Sequence, residues 1–475
     1  MSMNKRKKEP RQIAEGKKNK EKNVFEQAVL LLDSGKEQEA AEMLKKAASA
    51  GCSNACSALG CMYLFGHGMT ADPKKAAVYF RRGEKLLDPV CAYWLGTMHL
   101  LGRGVAKNDL KAMDYLKGAA EAGYPPAIGL LSELYYYGEH VKRDYKQACR
   151  WAMRGAAEKQ VQALNILGHL NLEGKACAKN EKEAFSFFAM AAEEGDIDSI
   201  VNLARMCREG KGCEKNALSA MDFYKKAGDL GEYGSYNQIG LMYCDGEGVE
   251  ADNKEAAVWF KKAADHGYAA AQCNLADLYY EGRGVWFNDG KARELYTLAA
   301  LQGYVPAMTS LAHMLYEGEG GEKDLKNSFM WNERAAELGE TQAMNALAGM
   351  YLAGEGTEKN PEKAVEYYRR AAELGDVYAQ NALGVRYSEG EGVEKDDKTA
   401  LKWFRMAAER DYPPALYSLA VMYYDGCAVH KDMNKVLQLL RRAVALGDPE
   451  AEKFLKEIYD EEGIDGKDFP GGGRL

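Results

Sequence analysis

The chain has 475 residues, of which 47% are apolar and 28% charged, and its formal net charge is -8. That composition supports a large buried core and excludes a wholly disordered or collagen-like chain. No run approaches the roughly 20 unbroken apolar residues of a membrane-spanning helix, and an acidic body repels nucleic acid along its length.

In chain order, residues 1–22 come first. They hold nine basic residues (Lys5, Arg6, Lys7, Lys8, Arg11, Lys17, Lys18, Lys20, Lys22) against Glu9, Glu15 and Glu21, a net of +6. Subtracting that from -8 leaves -14 on the remainder. No apolar stretch follows the basic cluster, so an ordinary secretory signal is not expected. The segment reads as a solvated, disordered leader and as the one part charged to contact an anionic surface. Residues 23–51 read as a helical hairpin turning at Gly35, and residues 52–448 as eleven repeats of two helices. Residues 449–462 read as a charged capping helix with Phe454, Leu455 and Ile458 turned inward. Residues 463–475, with Gly471-Gly472-Gly473, read as a flexible tail.

Each repeat is 36 residues long. Its first helix carries a small residue at Gly60, Gly96, Ser132, Gly168, Ala204, Gly240, Ala276, Ala312, Ala348, Gly384 and Ala420, with no insertion or deletion between copies. A glycine ends that helix from Gly66 through Gly426 without exception, as a left-handed C-terminal position requires. Only Asp or Asn opens the second helix: Asp72, Asn108, Asp144, Asn180, Asn216, Asp252, Asn288, Asp324, Asn360, Asp396 and Asp432. That is N-cap chemistry, with Pro73 and Pro361 at the position after it. The series Tyr79, Tyr115, Trp151, Phe187, Phe223, Trp259, Leu295, Trp331, Tyr367, Trp403 and Leu439 is read as the anchor of the second helix. Ala-Ala pairs such as Ala263-Ala264 allow close helix approach. One pair cannot bury its apolar face alone, so the expected fold is an all-α, right-handed solenoid superhelix of about twelve stacked pairs.

The full pattern stands at Ile239-Gly240, Tyr243, Gly246, Gly248, Val249, Asp252, Ala256, Trp259, Ala263-Ala264 and Gly267, and again at Leu383-Gly384, Tyr387, Gly390, Gly392, Val393, Asp396, Ala400, Trp403 and Ala407-Ala408. It resembles the Sel1-like repeat, a relative of the tetratricopeptide repeat, over about residues 24 to 460. The short turn at Gly35 is similar to a plain tetratricopeptide hairpin. Departures are local: Lys159 and Asp411 replace the glycine closing the second helix, and His140 and Ala176 replace the loop's second glycine. Loop geometry is expected to differ there. The resemblance implies an adaptor that binds a protein or peptide, with the first helices lining a concave surface.

On that surface, two positions precede the repeated leucine. One holds Asn165, Asn237, Asn345 and Asn381; the other holds Asn202 and Asn274. An amide donates and accepts, so these residues can pair with the backbone of an extended peptide; they can equally bond neighbouring helices. The position after the small residue varies most and includes His169, Arg205 and His313, where partner specificity is expected. Arg386 stands alone in a stripe of Met and Leu, placed to catch an acidic group or to snorkel to solvent.

The sequence carries no recognisable catalytic motif. Cys52, Cys56, Cys61 and His67 match no compact metal spacing, and Cys177 and Cys213 take the loop valine position as small hydrophobes. Eleven irregular cysteines fit reduced thiols. Some cysteine-rich members of the family bind or hydrolyse penicillins, but Ser-x-x-Lys occurs only at Ser2–Lys5, without its partner motifs. Gly392–Thr399 has Asp397 where a phosphate loop needs its second glycine. The chain is expected to be a non-catalytic, cytoplasmic scaffold without cofactor or metal. A β-lactam-directed enzyme and an exported bacterial effector are the alternatives.

Overall fold

A computed structural model describes residues 23–462, and the proposed basic leader 1–22 and glycine-rich tail 463–475 lie outside them. The described residues contain no strand. The chain divides into two compact units, one ending at Glu232 and the other beginning at Tyr233. In the first unit, α1 (residues 23–33) and α2 (Glu37–Ala50) precede five pairs: α3 (Ser53–Phe65) with α4 (Pro73–Glu84), α5 (Pro89–Leu101) with α6 (Asp109–Glu121), α7 (Pro125–Tyr137) with α8 (Tyr145–Ala157), α9 (Val161–Glu173) with α10 (Glu181–Glu193), and α11 (Ile197–Glu209) with α12 (Ala217–Asp229). In the second unit, α13 (Gly234–Asp245) pairs with α14 (Asn253–Asp265), α15 (Ala269–Glu281) with α16 (Asp289–Leu301), α17 (Val305–Glu317) with α18 (Leu325–Glu337), α19 (Thr341–Ala353) with α20 (Pro361–Glu373), α21 (Val377–Glu389) with α22 (Asp397–Ala408), and α23 (Pro413–Asp425) with α24 (Met433–Ala445). The last helix, α25 (Pro449–Glu462), packs on α24 and buries Ala451, Leu455, Ile458 and Tyr459. Within each unit every helix packs on its chain neighbours, which is the stacking of a solenoid.

Local chemistry sets these boundaries. The Asp or Asn before each second helix accepts a hydrogen bond from a first-turn amide, as Asp252 does from Lys254 N and Glu255 N. First helices end at a left-handed glycine, such as Gly246 with φ 67°. The loop's second glycine has a further duty that its φ alone does not explain. A Cβ on Gly212 would lie 2.1 Å from Glu181 O, and one on Gly392 would lie 2.2 Å from Pro361 O. The loop of one pair therefore presses its backbone on the first turn of the preceding pair's second helix.

Two expectations change. Loop geometry does not depart where glycine is replaced: Lys159, Asp411, His140 and Ala176 hold φ of 53°, 58°, 60° and 69°, the same left-handed conformation. The neighbouring packing overrides a cost of about 1–2 kcal/mol per residue. His140 also places Nδ1 2.9 Å from Asp109 Oδ1.

In most repeats the deeper anchor of the second helix is one residue later than the sequence reading placed it, although Trp151, Trp331 and Trp403 are buried where that reading put them. Phe80, Leu116, Phe188, Tyr224, Phe260, Tyr296, Tyr368, Phe404 and Leu440 are buried, whereas Tyr79, Tyr115, Phe187, Trp259 and Tyr367 are half-buried. The deeper residue lies against the small residue of the first helix. A Cβ on Gly60, Gly168, Gly240 or Gly384 would meet the ring of Phe80, Phe188, Phe260 or Phe404 within 2.3–2.6 Å. Size is matched across this contact: these four phenylalanines stand opposite Gly, whereas Tyr224, Tyr296 and Tyr368 stand opposite Ala204, Ala276 and Ala348. The methionine stripe is core, with Met98, Met206, Met242, Met314 and Met350 all buried.

Candidate functional site

The sequence candidates lie on the first helices. Of the asparagines there, Asn165, Asn237, Asn274, Asn345 and Asn381 are engaged between neighbouring repeats. Asn165 Nδ2 donates to Asp196 Oδ2 at 3.0 Å, and Asn345 Nδ2 to Asp376 Oδ1 at 3.0 Å. Each aspartate also caps the next first helix, accepting from Ser199 N and Ala379 N. Asn274 Nδ2 donates to Asn237 Oδ1 at 2.8 Å, and Ser418 Oγ to Asn381 Oδ1 at 3.4 Å. Asn202 and Asn237 are buried. Charged-acceptor links such as Asn165–Asp196 stabilise by about 1.5–3 kcal/mol, so they tie first helices together.

The variable position behaves differently from repeat to repeat. His169 is half-buried, its ring 5.1 Å from that of Phe188, and burial holds its pKa below the ordinary value. Asp277 accepts from Tyr296 Oη at 2.5 Å, and burial raises its pKa above the ordinary carboxylate value. Arg205 and His313 are exposed. Arg386 forms ion pairs with Glu389, at 3.2 Å, and with Glu391, so its charge is met within its own repeat.

In the second unit the first-helix face opens into a cleft of about 580 Å³ between α17 and α19. It brings His313 and Asn345 together; the other sequence candidates do not line it. Its floor is Ala312, Asn332 and Met350, and its walls include Gln342, Ala346, Gly349 and Tyr378. A smaller recess of about 240 Å³ adjoins it and shares Thr309, His313 and Gln342. Both sizes suit a side chain or short segment of a ligand. Asn332 and the carboxylates of Glu317 and Glu355 at the cleft were missed from sequence, whereas Gly349 stands at the variable position where specificity was expected. Asn332 was detectable: it stands in the buried anchor series, where its neighbours at 296 and 368 are tyrosines. Among the described residues no group of three or more His, Cys, Asp or Glu is placed to hold a metal ion, and no helix is long and apolar enough to cross a membrane.

Comparison with known proteins adds the following. The Sel1 repeat family model matches residues 35–52, 53–86, 89–124, 125–158, 161–196, 197–232, 235–268, 269–304, 305–340, 341–376, 377–412 and 413–448. The chain is similar to a solved protective antigen of uropathogenic Escherichia coli strains that displays an SLR fold. The two are 28% identical, the match covers 89% of this chain and 90% of that one, and the TM-score is 0.60. A Sel1 repeat protein from Oxalobacter formigenes is 29% identical over 64% of this chain and 88% of its own, with a TM-score of 0.55. No curated protein matches.

Proposed function

The chain belongs to the Sel1 repeat family, and from that premise we propose that it is a non-catalytic scaffold that binds a protein or peptide partner on the face made by its first helices. The setting proposed for it is a cytoplasm. The observation that carries this reading is the cleft between α17 and α19 on that face. The framework positions are given over to stacking, while the variable position changes from Asp277 to His313 to Gly349 in three consecutive repeats. A repeat protein that keeps its stacking contacts and varies one stripe, exposed at Arg205, His313 and Gly349, has the means to recognise one partner among many.

Site-specific photocrosslinking tests this. A photoreactive amino acid is placed at exposed His313 or Gln342 on the first-helix face, and at exposed Met330 on α18 as a control. Adducts from positions 313 and 342 and none from 330 support the reading. Adducts from 330 alone, or from none of the three, refute it.

A further inference from the structure

We infer that the cleft between α17 and α19 is a socket for a cationic side chain, arginine or lysine, carried by an extended partner peptide. This rests on the first-helix face being the binding face, and it names what that face selects.

Asn332 is the first observation. In the anchor series it stands between Tyr296 and Tyr368 and opposite Ala312; at the other alanines, Ala204, Ala276 and Ala348 face tyrosine and Ala420 faces leucine. Its side chain is 6% exposed and lines the cleft floor. Nδ2 reaches only Met350 Sδ, at 3.9 Å, and Oδ1 accepts no hydrogen bond from any described residue. The amide oxygen is left without a protein partner, whereas a tyrosine in its place would fill the space. Whichever way the amide is turned, one polar end faces the cavity.

The second observation is room made on the facing helix. Ala346, Gly349 and Ala353 occupy positions that hold Asn274, Asp277 and Glu281 two repeats earlier. A Cβ on Gly349 would meet nothing within 4 Å. The side chains that could fill the cleft are therefore missing together in one repeat, directly across from Asn332.

Charge is the third. Glu317 and Glu355 line the cleft, and neither lysine nor arginine does. Glu317 is the last residue of α17, and Glu355 follows α19 by two residues. Both carboxylates lie at the negative ends of helix macrodipoles, where an anion is disfavoured. Tyr316 Oη donates to Glu355 and holds that carboxylate in place. The nearby cation Lys323 lies 4.7 Å over the Tyr316 ring and is not part of the lining. An apolar floor for a methylene stem, an amide acceptor at depth and two carboxylates together match the long cationic side chains.

The test selects a phage-displayed library of random 12-residue peptides on the immobilised full chain. The same selection is run on Asn332→Tyr, which restores the pairing seen at Tyr296–Ala276 and Tyr368–Ala348, and on Glu317→Gln/Glu355→Gln. The wild type is expected to enrich arginine or lysine at one fixed position, and both variants to lose that enrichment while keeping the wild-type melt. Replacing the selected arginine by its neutral isostere citrulline, or a selected lysine by norleucine, is expected to weaken the synthetic peptide about tenfold or more. Enrichment without cationic preference, or cationic preference retained by Asn332→Tyr, overturns the socket and leaves the binding face standing. A wild type that selects no peptide overturns both.

Discussion

The contact between Gly240 on α13 and Phe260 on α14 gives a quantitative test of how a pair holds together. A Cβ at position 240 would sit 2.4 Å from Phe260 Cε1 and 2.5 Å from Cδ1, about 1 Å inside ordinary van der Waals contact. The ring is 1% exposed and has nowhere to retreat. Overpacking of this kind costs about 1–3 kcal/mol, and so close an approach belongs near the top of that range. Replacing glycine by alanine inside a helix returns about 1 kcal/mol. Gly240→Ala should therefore destabilise by about 2 kcal/mol, roughly a 30-fold increase in local opening. Gly118→Ala on α6 is the control, because a Cβ there would meet nothing within 4 Å; it should stabilise by about 1 kcal/mol. Phe260→Leu should relieve the clash in the double variant, since Leu440 already fills this slot opposite Ala420, giving a coupling of about 1–2 kcal/mol. Native-state hydrogen exchange is the assay, because it reads each pair locally, where a global melt need not be two-state for a long repeat array. Equal, stabilising effects of the two alanines would refute the reasoning.

Three further predictions concern backbone, charge and thiols. Lys159→Gly should raise stability by about 0.5–1 kcal/mol in the same exchange assay, because glycine adopts the φ of 53° without strain and loses only part of that gain to unfolded-state entropy; a loss would contradict it. The folded-state pKa of Asp277 is raised by burial, so folding takes up a proton there. The cost of the carboxylate is present at pH 7 and is relieved as pH falls through the folded value towards the ordinary one of about 3.9. Asp277→Asn, which keeps an acceptor for Tyr296, should thus be more stable than wild type at pH 7 and lose that advantage near pH 4; a pH-independent difference would refute this. Burial pushes the thiols of Cys61 and Cys207 up to about 11 and that of Cys273 to about 12. Alkylation of all three at pH 8 should be on the order of a hundredfold slower than for a free thiol and should recover on denaturation, as peptide mass mapping would show.

What the sequence alone determined is everything written in local chemistry. The 36-residue period, the Asp or Asn cap at residues such as Asp252, the left-handed glycine at Gly246 and the bounds of α16 and α25 all depend on residues a few positions apart, and such interactions are legible in one dimension. Tertiary structure decided what depends on the facing element. Adjacent apolar residues such as Trp259 and Phe260 point about 100° apart on a helix, and only the packing of α13 shows that Phe260 is the deeper one. The signal was present, in phenylalanine opposite glycine and tyrosine opposite alanine twenty residues earlier, but it has meaning only once the two helices are known to touch there. The asparagines are the same case: an amide has the same chemistry toward a peptide or a neighbouring helix, and the distances from Asn165 to Asp196 and from Asn274 to Asn237 show it engaged between helices. The cleft is the furthest from the sequence, since it is made by Asn332, Gly349 and Glu355 on separate elements that only stacking brings together.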